Sequence, residues 1–154
     1  MRKIQDILIR ERVVTLSGKT KDAVLDELCT VVAISPLVKS KEQLLNAIKA
    51  REAIMSTGIG MGIAIPHAKI ESIADIIMAV GLSEDGIGFQ ALDGRKVHLV
   101  ILIAASNTQG DEFLKVLGII GKFFENKRHR EKFLRARNDD DVFRLFQHMD
   151  DHHE

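Results

Sequence analysis

The sequence that decides the fold is VHLVILIAA, residues 97–105. Every residue in it except His98 is apolar, and valine and isoleucine are frequent. A continuous apolar run of this length, rich in β-branched residues, is typical of a strand that is buried on both faces. We therefore expect a central strand here, with other elements packed on either side of it.

Helical and extended patterns alternate on the N-terminal side of that strand. VVTL at 13–16 and ADIIMAVGLS at 74–83 predict strands. Thr20 and Ser40 are predicted N-caps of two helices, and Gln43 stands three residues after the second cap. Strands that alternate with helices indicate an α/β domain in which helices cover a central sheet.

Helical patterns dominate the C-terminal side. NTQGDEFLKVLGIIGKFFENK at 107–127 predicts a helix, and shorter helices are predicted at 129–137 and 139–149. The first of these should point five residues inward: Phe113, Leu114, Leu117, Ile120 and Phe124.

Composition indicates one ordinary domain. The 154 residues are 45% hydrophobic, which predicts a single domain over 1–154, with a core at about 4–148 and a tail at 149–154. Lys plus Arg and Asp plus Glu each number 22, so we expect no nucleic-acid partner. The lone Cys29 lies in an apolar helical pattern and is expected to be a buried structural thiol.

The apolar segments are too short for membrane insertion. The N-terminal residues carry charges every few positions and lack the apolar core of a signal peptide. The run at 97–105 is far shorter than a membrane-spanning helix. We therefore expect a cytoplasmic protein that does not insert directly into a membrane.

The stretch with the most candidate functional residues is REAIMSTGIGMGIAIPHAK, residues 51–69. Its alternating Gly58, Gly60 and Gly62 could let backbone amides approach an anion, or could allow close backbone packing at the start of a strand. The spacing fits neither the dinucleotide-binding motif nor the P-loop. A strand, or a loop that leads into one, is indicated by the alternation of Ile59, Met61, Ile63 and Ile65.

His67 is the candidate nucleophile. It directly follows Pro66 and is expected at the end of a strand, beside Ser56, Thr57 and Arg51. A neutral imidazole is nucleophilic near pH 7, and a guanidinium can stabilise the charge on phosphoryl oxygens. These parts suit phosphoryl transfer; a hydrogen-bonded structural histidine is the alternative.

This stretch resembles the signature of the type-2 enzyme IIA domains (fructose, mannitol and nitrogen-regulatory) of the phosphoenolpyruvate-dependent phosphotransferase system. The RE pair at 51–52, STG at 56–58, the alternating glycines and AIPH at 64–67 occur in the order found in that family. The resemblance extends to IQDILIRERVVTLSGKTKDAVLDELC, RKVHLVILIAA and FLKVLGIIGKFF, and so covers most of the chain.

The resemblance implies a single α/β domain whose mixed sheet is flanked by helices on both faces. It implies that His67 accepts a phosphoryl group from the phosphocarrier HPr or its nitrogen-branch counterpart, and passes it to an enzyme IIB partner. By the same resemblance Arg51 binds the phosphoryl oxygens, while Ser56, Thr57 and Gly58 shape the pocket. No metal ion or organic cofactor is implied.

One position departs from the family pattern. Members that relay phosphoryl groups to sugars commonly have a second histidine where this sequence has Phe113. Phenylalanine cannot hydrogen-bond to a phosphoryl group or to another imidazole. We therefore expect a mainly regulatory, nitrogen-branch role; the alternatives are relay to a fructose- or mannitol-type IIB component and a non-catalytic binding module with the same fold.

Three other features have simpler explanations. His98 is expected to be structural or exposed. The basic segment at 127–137 predicts a partly buried helix with a solvated basic face; a nucleic-acid patch or a docking surface for an acidic partner is the alternative. DDHHE at 150–154 contains metal-capable side chains, but a chain terminus rarely holds a fixed coordination geometry.

Overall fold

The computed structural model describes residues 2–149, which form one mixed six-stranded sheet with helices on both faces. The sheet order is β1-β5-β6-β3-β2, and β4 also pairs with β6. β5 and β6 are antiparallel, whereas β1 runs parallel to β5, and both β3 and β4 run parallel to β6. The strands are β1 Val13–Thr15, β2 Gly58–Gly60, β3 Ile63–Ala64, β4 His67–Lys69, β5 Ile77–Ile87 and β6 Val97–Ala105.

Helices cover the two faces of the sheet and enclose two apolar cores. α2 and α3 pack on one face, and α1, α4, α5 and α6 pack on the other. This arrangement confirms the predicted α/β architecture with helices on both faces. The helices are α1 Ile4–Ile7, α2 Lys21–Ala33, α3 Lys41–Ile54, α4 Gly110–Glu125, α5 Lys127–Leu134 and α6 Asp139–Gln147.

β6 is the central strand, as its apolar run predicts. Alternate residues contribute to opposite cores: Ile101 and Ile103 pack on the side of α4, and Val100 and Leu102 pack on the side of α2 and α3. Only His98 on this strand is not buried. β5 has the same two-sided burial over its first seven residues.

The predicted caps of the two early helices are confirmed. The hydroxyl oxygen of Thr20 accepts a hydrogen bond from the amide of Ala23, at 3.2 Å, and that of Ser40 accepts one from the amide of Gln43, also at 3.2 Å. Each bond satisfies an amide that has no partner within its helix. Cys29 is buried in α2, where burial raises the pKa of its thiol to about 12, so the thiol is structural as predicted.

The inward face of α4 differs from the prediction at one residue. Leu114 was expected inside, but 67% of it is exposed, and Val116 is buried instead. Phe113, Val116, Ile120 and Phe124 repeat at intervals of three and four and form one face of the helix. Leu114 is rotated about 100° from Phe113 and therefore faces away from the core.

The glycine-rich stretch folds into a tight turn rather than one continuous strand. Gly60, Met61 and Gly62 have φ values of +90°, +57° and +86°, so the chain reverses between β2 and β3. Three successive left-handed residues cannot continue a strand, so the stretch forms two short strands joined by a turn that leads into β3. Ile59 and Met61 at this turn are exposed, whereas Ile63 and Ile65 are buried.

The basic segment contains α5, whose Phe133 is buried while Lys132 and Arg128 are exposed, as predicted. None of the helices within residues 2–149 is long and apolar enough to cross a bilayer. The same residues contain no cluster of three or more His, Cys, Asp or Glu side chains that could hold a metal ion. Met149, the first residue of the predicted tail at 149–154, is buried in the core, and residues 150–154 lie outside the described residues.

Candidate functional site

His67 is the first residue of β4. It was expected at the end of a strand, but it lies at the beginning of one. It pairs in parallel register with Ile103 of the central strand. Pro66 is buried, and its carbonyl accepts a hydrogen bond from the amide of Ile103 at 3.0 Å. Proline removes a donor and restricts φ, which explains the break between β3 and β4. The imidazole is half-buried at this break.

The hydrogen bonding of His67 defines its tautomer. Its Nδ1 lies 2.7 Å from the carbonyl oxygen of Ile65. A carbonyl oxygen can only accept, so Nδ1 carries the proton and donates it to Ile65. Nε2 therefore has a free lone pair. The ring nitrogen that can attack an electrophile is Nε2.

Several neighbours act on the charge of this imidazole. Burial lowers the pKa of His67 below its ordinary value of 6.5, and the positive charge of Arg51 lowers it further. The bond to Ile65 and the carboxylate of Glu52 act in the opposite direction, but the net shift is downward. His67 is therefore held neutral, and nucleophilic, at pH 7.

Arg51 lies in the last turn of α3, the helix that packs against β4. One of its guanidinium nitrogens, Nη1, donates to the carbonyl oxygen of Met55 at 2.6 Å. This bond holds the guanidinium over the C-terminal end of its own helix, where its charge acts on His67. The structure thus brings Arg51 and His67 into one electrostatic environment.

Ser56 and Thr57 lie in the loop between α3 and β2, Gly58 is the first residue of β2, and the polar groups of these residues are engaged within the protein. The hydroxyl of Ser56 donates to the carbonyl of Phe89 at 2.6 Å and accepts from the amide of Gly58 at 3.0 Å. Thr57 is buried. A Cβ at Gly58 would lie 2.9 Å from that of Ala91, so only glycine fits there. For Gly58 the structure thus shows close packing.

Phe113 lies beside His67. The centroids of the two rings are 5.8 Å apart, with their planes tilted by 56°. The position at which the resemblance places a second histidine is therefore next to the candidate nucleophile, and here it provides an apolar wall. This wall contributes to the burial that lowers the pKa of His67.

His98 lies outside this site. On β6 it is five positions from Ile103, the partner of His67, which corresponds to about 16 Å along a strand. Its Nδ1 donates to the carbonyl of Ser83 at 2.9 Å. A structural role is therefore what the contacts of His98 support, as predicted.

Two charged residues near the site were missed by the sequence analysis. Glu52 forms an ion pair with Lys21, at 2.6 Å, in which only 4% of the Glu52 side chain is exposed. Glu52 belongs to the quoted RE pair, but a glutamate on a helix is usually solvated. No pattern in the sequence connects it to Lys21, which lies on a different helix.

A known structure shares the fold described above. A solved structure of the nitrogen regulatory protein IIA-Ntr from Neisseria meningitidis superimposes with a TM-score of 0.84 at 26% identity, covering 93% of this chain and 98% of that one. The chain belongs to the EIIA 2 family of the phosphoenolpyruvate-dependent sugar phosphotransferase system, whose family model matches residues 7–149. The resemblance seen in the sequence is thereby confirmed.

Relatives of this chain include fructose-specific and nitrogen-regulatory proteins. The fructose-specific EIIABC component of Bacillus subtilis (strain 168) is 34% identical over 149 residues, covering 96% of this chain, which spans 24% of that longer protein. The nitrogen regulatory protein of Escherichia coli (strain K12) is 32% identical over 122 residues, covering 77% of this chain and 74% of the relative. The names of these relatives therefore do not distinguish a fructose-specific role from a nitrogen-regulatory one for this chain.

Proposed function

We propose that this protein accepts a phosphoryl group on Nε2 of His67 and that its main output is regulation by the resulting change in charge. The observation that carries the proposal is the bond from Nδ1 to the Ile65 carbonyl, which leaves Nε2 unprotonated. Membership of the EIIA 2 family, whose members are phosphotransfer components, supports the same chemistry.

The reaction moves one phosphoryl group between two imidazoles. The lone pair of His67 Nε2 attacks the phosphorus of a phosphohistidine on the carrier protein, and the phosphorus–nitrogen bond to the carrier breaks with its electron pair returning to the carrier's ring. The proton stays on His67 Nδ1 and remains hydrogen-bonded to the Ile65 carbonyl oxygen. This hydrogen bond stabilises the positive charge on the phosphorylated ring. No cofactor takes part in this step.

Arg51 stabilises the phosphoryl oxygens in this proposal. A guanidinium has five N–H donors, and the bond to Met55 uses one of them. The remaining donors are available to an incoming phosphoryl group, whose negative charge is spread over its oxygens in the transition state. Ser56, Thr57 and Gly58 shape the pocket by holding the loop that follows α3.

The partner that supplies the group is HPr or its nitrogen-branch counterpart, and the protein acts in the cytoplasm. The regulatory output is favoured by Phe113, which places an apolar ring where sugar-relaying members commonly have a second imidazole. Relay to a fructose- or mannitol-type IIB component is the alternative, and it is supported by the fructose-specific relative. A phosphoryl group adds about −1.5 to −2 charge, enough to alter a docking face.

The test is transfer of labelled phosphate from phosphoenolpyruvate, through enzyme I and each of the two carriers, to this protein. We expect acid-labile label on the parent and none on His67→Ala. Arg51→Ala should be labelled about 10²-fold more slowly, with an unchanged circular dichroism spectrum, because it loses transition-state charge stabilisation. A control IIA domain labelled in parallel shows that the carriers are active.

The labelled protein also separates the two outputs. Rapid loss of label to a purified IIB domain would replace regulation with transport relay. Label that stays on His67 in the presence of IIB supports regulation. No label on the parent, while the control IIA is labelled, would mean that the chain is a binding module that has lost the chemistry.

A further inference from the structure

A buried carboxylate is connected to the candidate nucleophile by a chain of three hydrogen-bonded links. The side chain of Glu52 is 4% exposed, and its Oε2 lies 2.6 Å from Nζ of Lys21, of which 18% is exposed. A buried carboxylate is costly unless donors surround it. Glu52 has such donors from Thr57 as well as from Lys21. It joins the first residue of α2 to the last turns of α3.

Two groups of Thr57, the amide and the hydroxyl, donate hydrogen bonds to this carboxylate. Its amide lies 3.2 Å from each oxygen of Glu52, and its hydroxyl donates to Oε1 of the same side chain. Hydrogen bonds to an ionised acceptor are roughly twice as strong as neutral ones. Both the backbone and the side chain of Thr57 are thereby fixed relative to α3.

From Thr57 the connection continues to His67 through the backbone. The carbonyl of Thr57 accepts a hydrogen bond from the amide of Ile65 at 3.0 Å. The carbonyl of the same Ile65 accepts the proton of His67 Nδ1 at 2.7 Å. The orientation of the Ile65 peptide therefore depends on where Thr57 is held.

Lys21 holds the same loop from its other side. Its Nζ lies 3.4 Å from the carbonyl of Phe89 and 5.1 Å from the centroid of the Phe89 ring. That carbonyl also accepts the hydroxyl proton of Ser56. Lys21 is thus placed between Glu52 and the Phe89 backbone, and it couples both to the loop at 56–58.

We propose that Glu52, held by Lys21, is a positioning residue for His67: through Thr57 and Ile65 it keeps the imidazole in the tautomer with Nδ1 protonated and Nε2 free. This inference rests on the proposed role of His67 as phosphoryl acceptor. In this proposal Glu52 does not contact the reacting atoms. Its role is to keep the acceptor of the Nδ1 proton in place, as second-layer partners do for metal-bound histidines.

The test compares Glu52→Gln with Asp26→Asn. Asp26 pairs with Lys41 at 3.0 Å and also connects α2 to α3, but no hydrogen bond leads from it to His67. The first readout is the tautomer of His67, taken from long-range ¹⁵N–¹H spectra of uniformly labelled protein. The second is the rate of phosphorylation by the carrier at saturating concentration, together with KM for the carrier.

We expect the parent and Asp26→Asn to show a single tautomer with the proton on Nδ1. Glu52→Gln should show a mixture of tautomers, a rate lower by about 10–100-fold and a KM changed less than about twofold, since orientation is lost while the docking surface is kept. If Glu52→Gln does not fold, Lys21→Met removes the same ion pair from the other side.

An unchanged tautomer in Glu52→Gln would overturn the inference. So would an equal change in Asp26→Asn, because the effect would then come from general contact between α2 and α3. The tautomer measurement needs no phosphoryl donor. If the parent takes no label, the proposed function fails while the tautomers still decide the positioning role.

Discussion

The imidazole of His67 is subject to opposing influences that together keep it neutral. Burial and the charge of Arg51 disfavour its protonation, whereas the Ile65 carbonyl and Glu52 favour it, and the pKa is lowered overall. Arg51 thus has two effects in the proposed reaction. It keeps the nucleophile deprotonated before transfer and stabilises the phosphoryl oxygens during transfer.

The lowered pKa of His67 predicts the pH dependence of phosphorylation. The rate should fall as the pH drops through the pKa of His67, with a midpoint below the ordinary value of 6.5, because only the neutral ring is nucleophilic. Arg51→Gln should raise that pKa, since a positive charge nearby is removed. An NMR titration of His67 in both proteins measures this, with the urea-unfolded chain as the reference.

The lowered pKa of His67 also determines the direction in which pH changes the free energy of unfolding. Because the folded pKa lies below the unfolded one, the unfolded chain binds the proton first as the pH falls. The stability contributed by neutral His67 is therefore fully present above about pH 6.5 and is lost as the pH falls through the folded pKa. A folded His67 that titrates at or above its pKa in the unfolded chain would contradict this prediction.

The sequence alone indicates His67 as the candidate, but much of what surrounds it is visible only in the structure. Proline, glycines and a histidine in a fixed order are visible in a sequence. The contact with Ile65 is not, because a backbone carbonyl has no sequence signature. The pairing of Lys21 with Glu52 could not be predicted either, since it depends on how α2 and α3 are placed by their packing on the sheet.

Among the secondary-structure elements, the β2–β3 turn is the one that positions the site. It reverses the chain so that β3 and β4 both run parallel to the central strand. His67 is the first residue of β4. The amide of Met61 at its tip donates to Asp93 Oδ2 at 2.8 Å, which anchors the turn to the 92–95 loop. Local alternation of apolar residues resembles a strand here, because the pattern continues through a turn that left-handed glycines make possible.

Two glycines should respond in opposite directions to the same substitution. Gly62→Ala should lower the free energy of unfolding by about 1–2 kcal/mol, since its φ is +86° and alanine resists the left-handed region. Gly118→Ala should raise it by about 0.5–1 kcal/mol, because this exposed residue is inside α4 and a Cβ there meets nothing within 4 Å. Urea unfolding at pH 7 measures both.

The pair controls for the added methyl group itself. A Cβ at Gly62 would lie 3.4 Å from Leu134, which is ordinary contact, so the expected cost comes from the backbone conformation. Equal changes in both variants would show that the turn does not require a left-handed residue at this position. Because the turn leads directly into β3, Gly62→Ala should also broaden the NMR signals of β3 residues such as Ala64.

At the scale of the whole molecule, the sheet separates two apolar cores, and polar networks join its outlying segments. The Arg2 guanidinium donates to Asp75 at 2.6 and 2.9 Å and to Glu112 at 2.6 Å. These contacts connect Arg2 and Asp75, which lies two residues before β5, to Glu112 in the first turn of α4, the residue directly before Phe113. The layered architecture was predictable from alternating patterns, but this network was not, since its members are far apart in the sequence.

The network predicts how the protein responds to acid. The Arg2 guanidinium, with help from the Gln109 amide, lowers the pKa of Asp75 from 3.8 to about 2. A carboxylate with a depressed pKa contributes stability above its unfolded value, and that stability is lost as the pH falls from about 4 through about 2. Because Arg2 and Asp75 are 40% and 36% exposed, solvent screening reduces the expected contribution to about 1 kcal/mol.

Asp75→Asn should therefore lower the free energy of unfolding at pH 7 by about 1 kcal/mol, and the difference from the parent should shrink as the pH falls from about 4 through about 2. Urea unfolding at several pH values measures this. Asp85→Asn is the control: Asp85 is 81% exposed, lies 3.8 Å from Lys19, and should show no measurable change at any pH. A constant difference between the parent and Asp75→Asn across the range would mean that the Asp75 charge does not stabilise the fold, and that the N-terminal segment is held instead by the packing of Ile4 and Ile7 in the core, where α1 contacts α6.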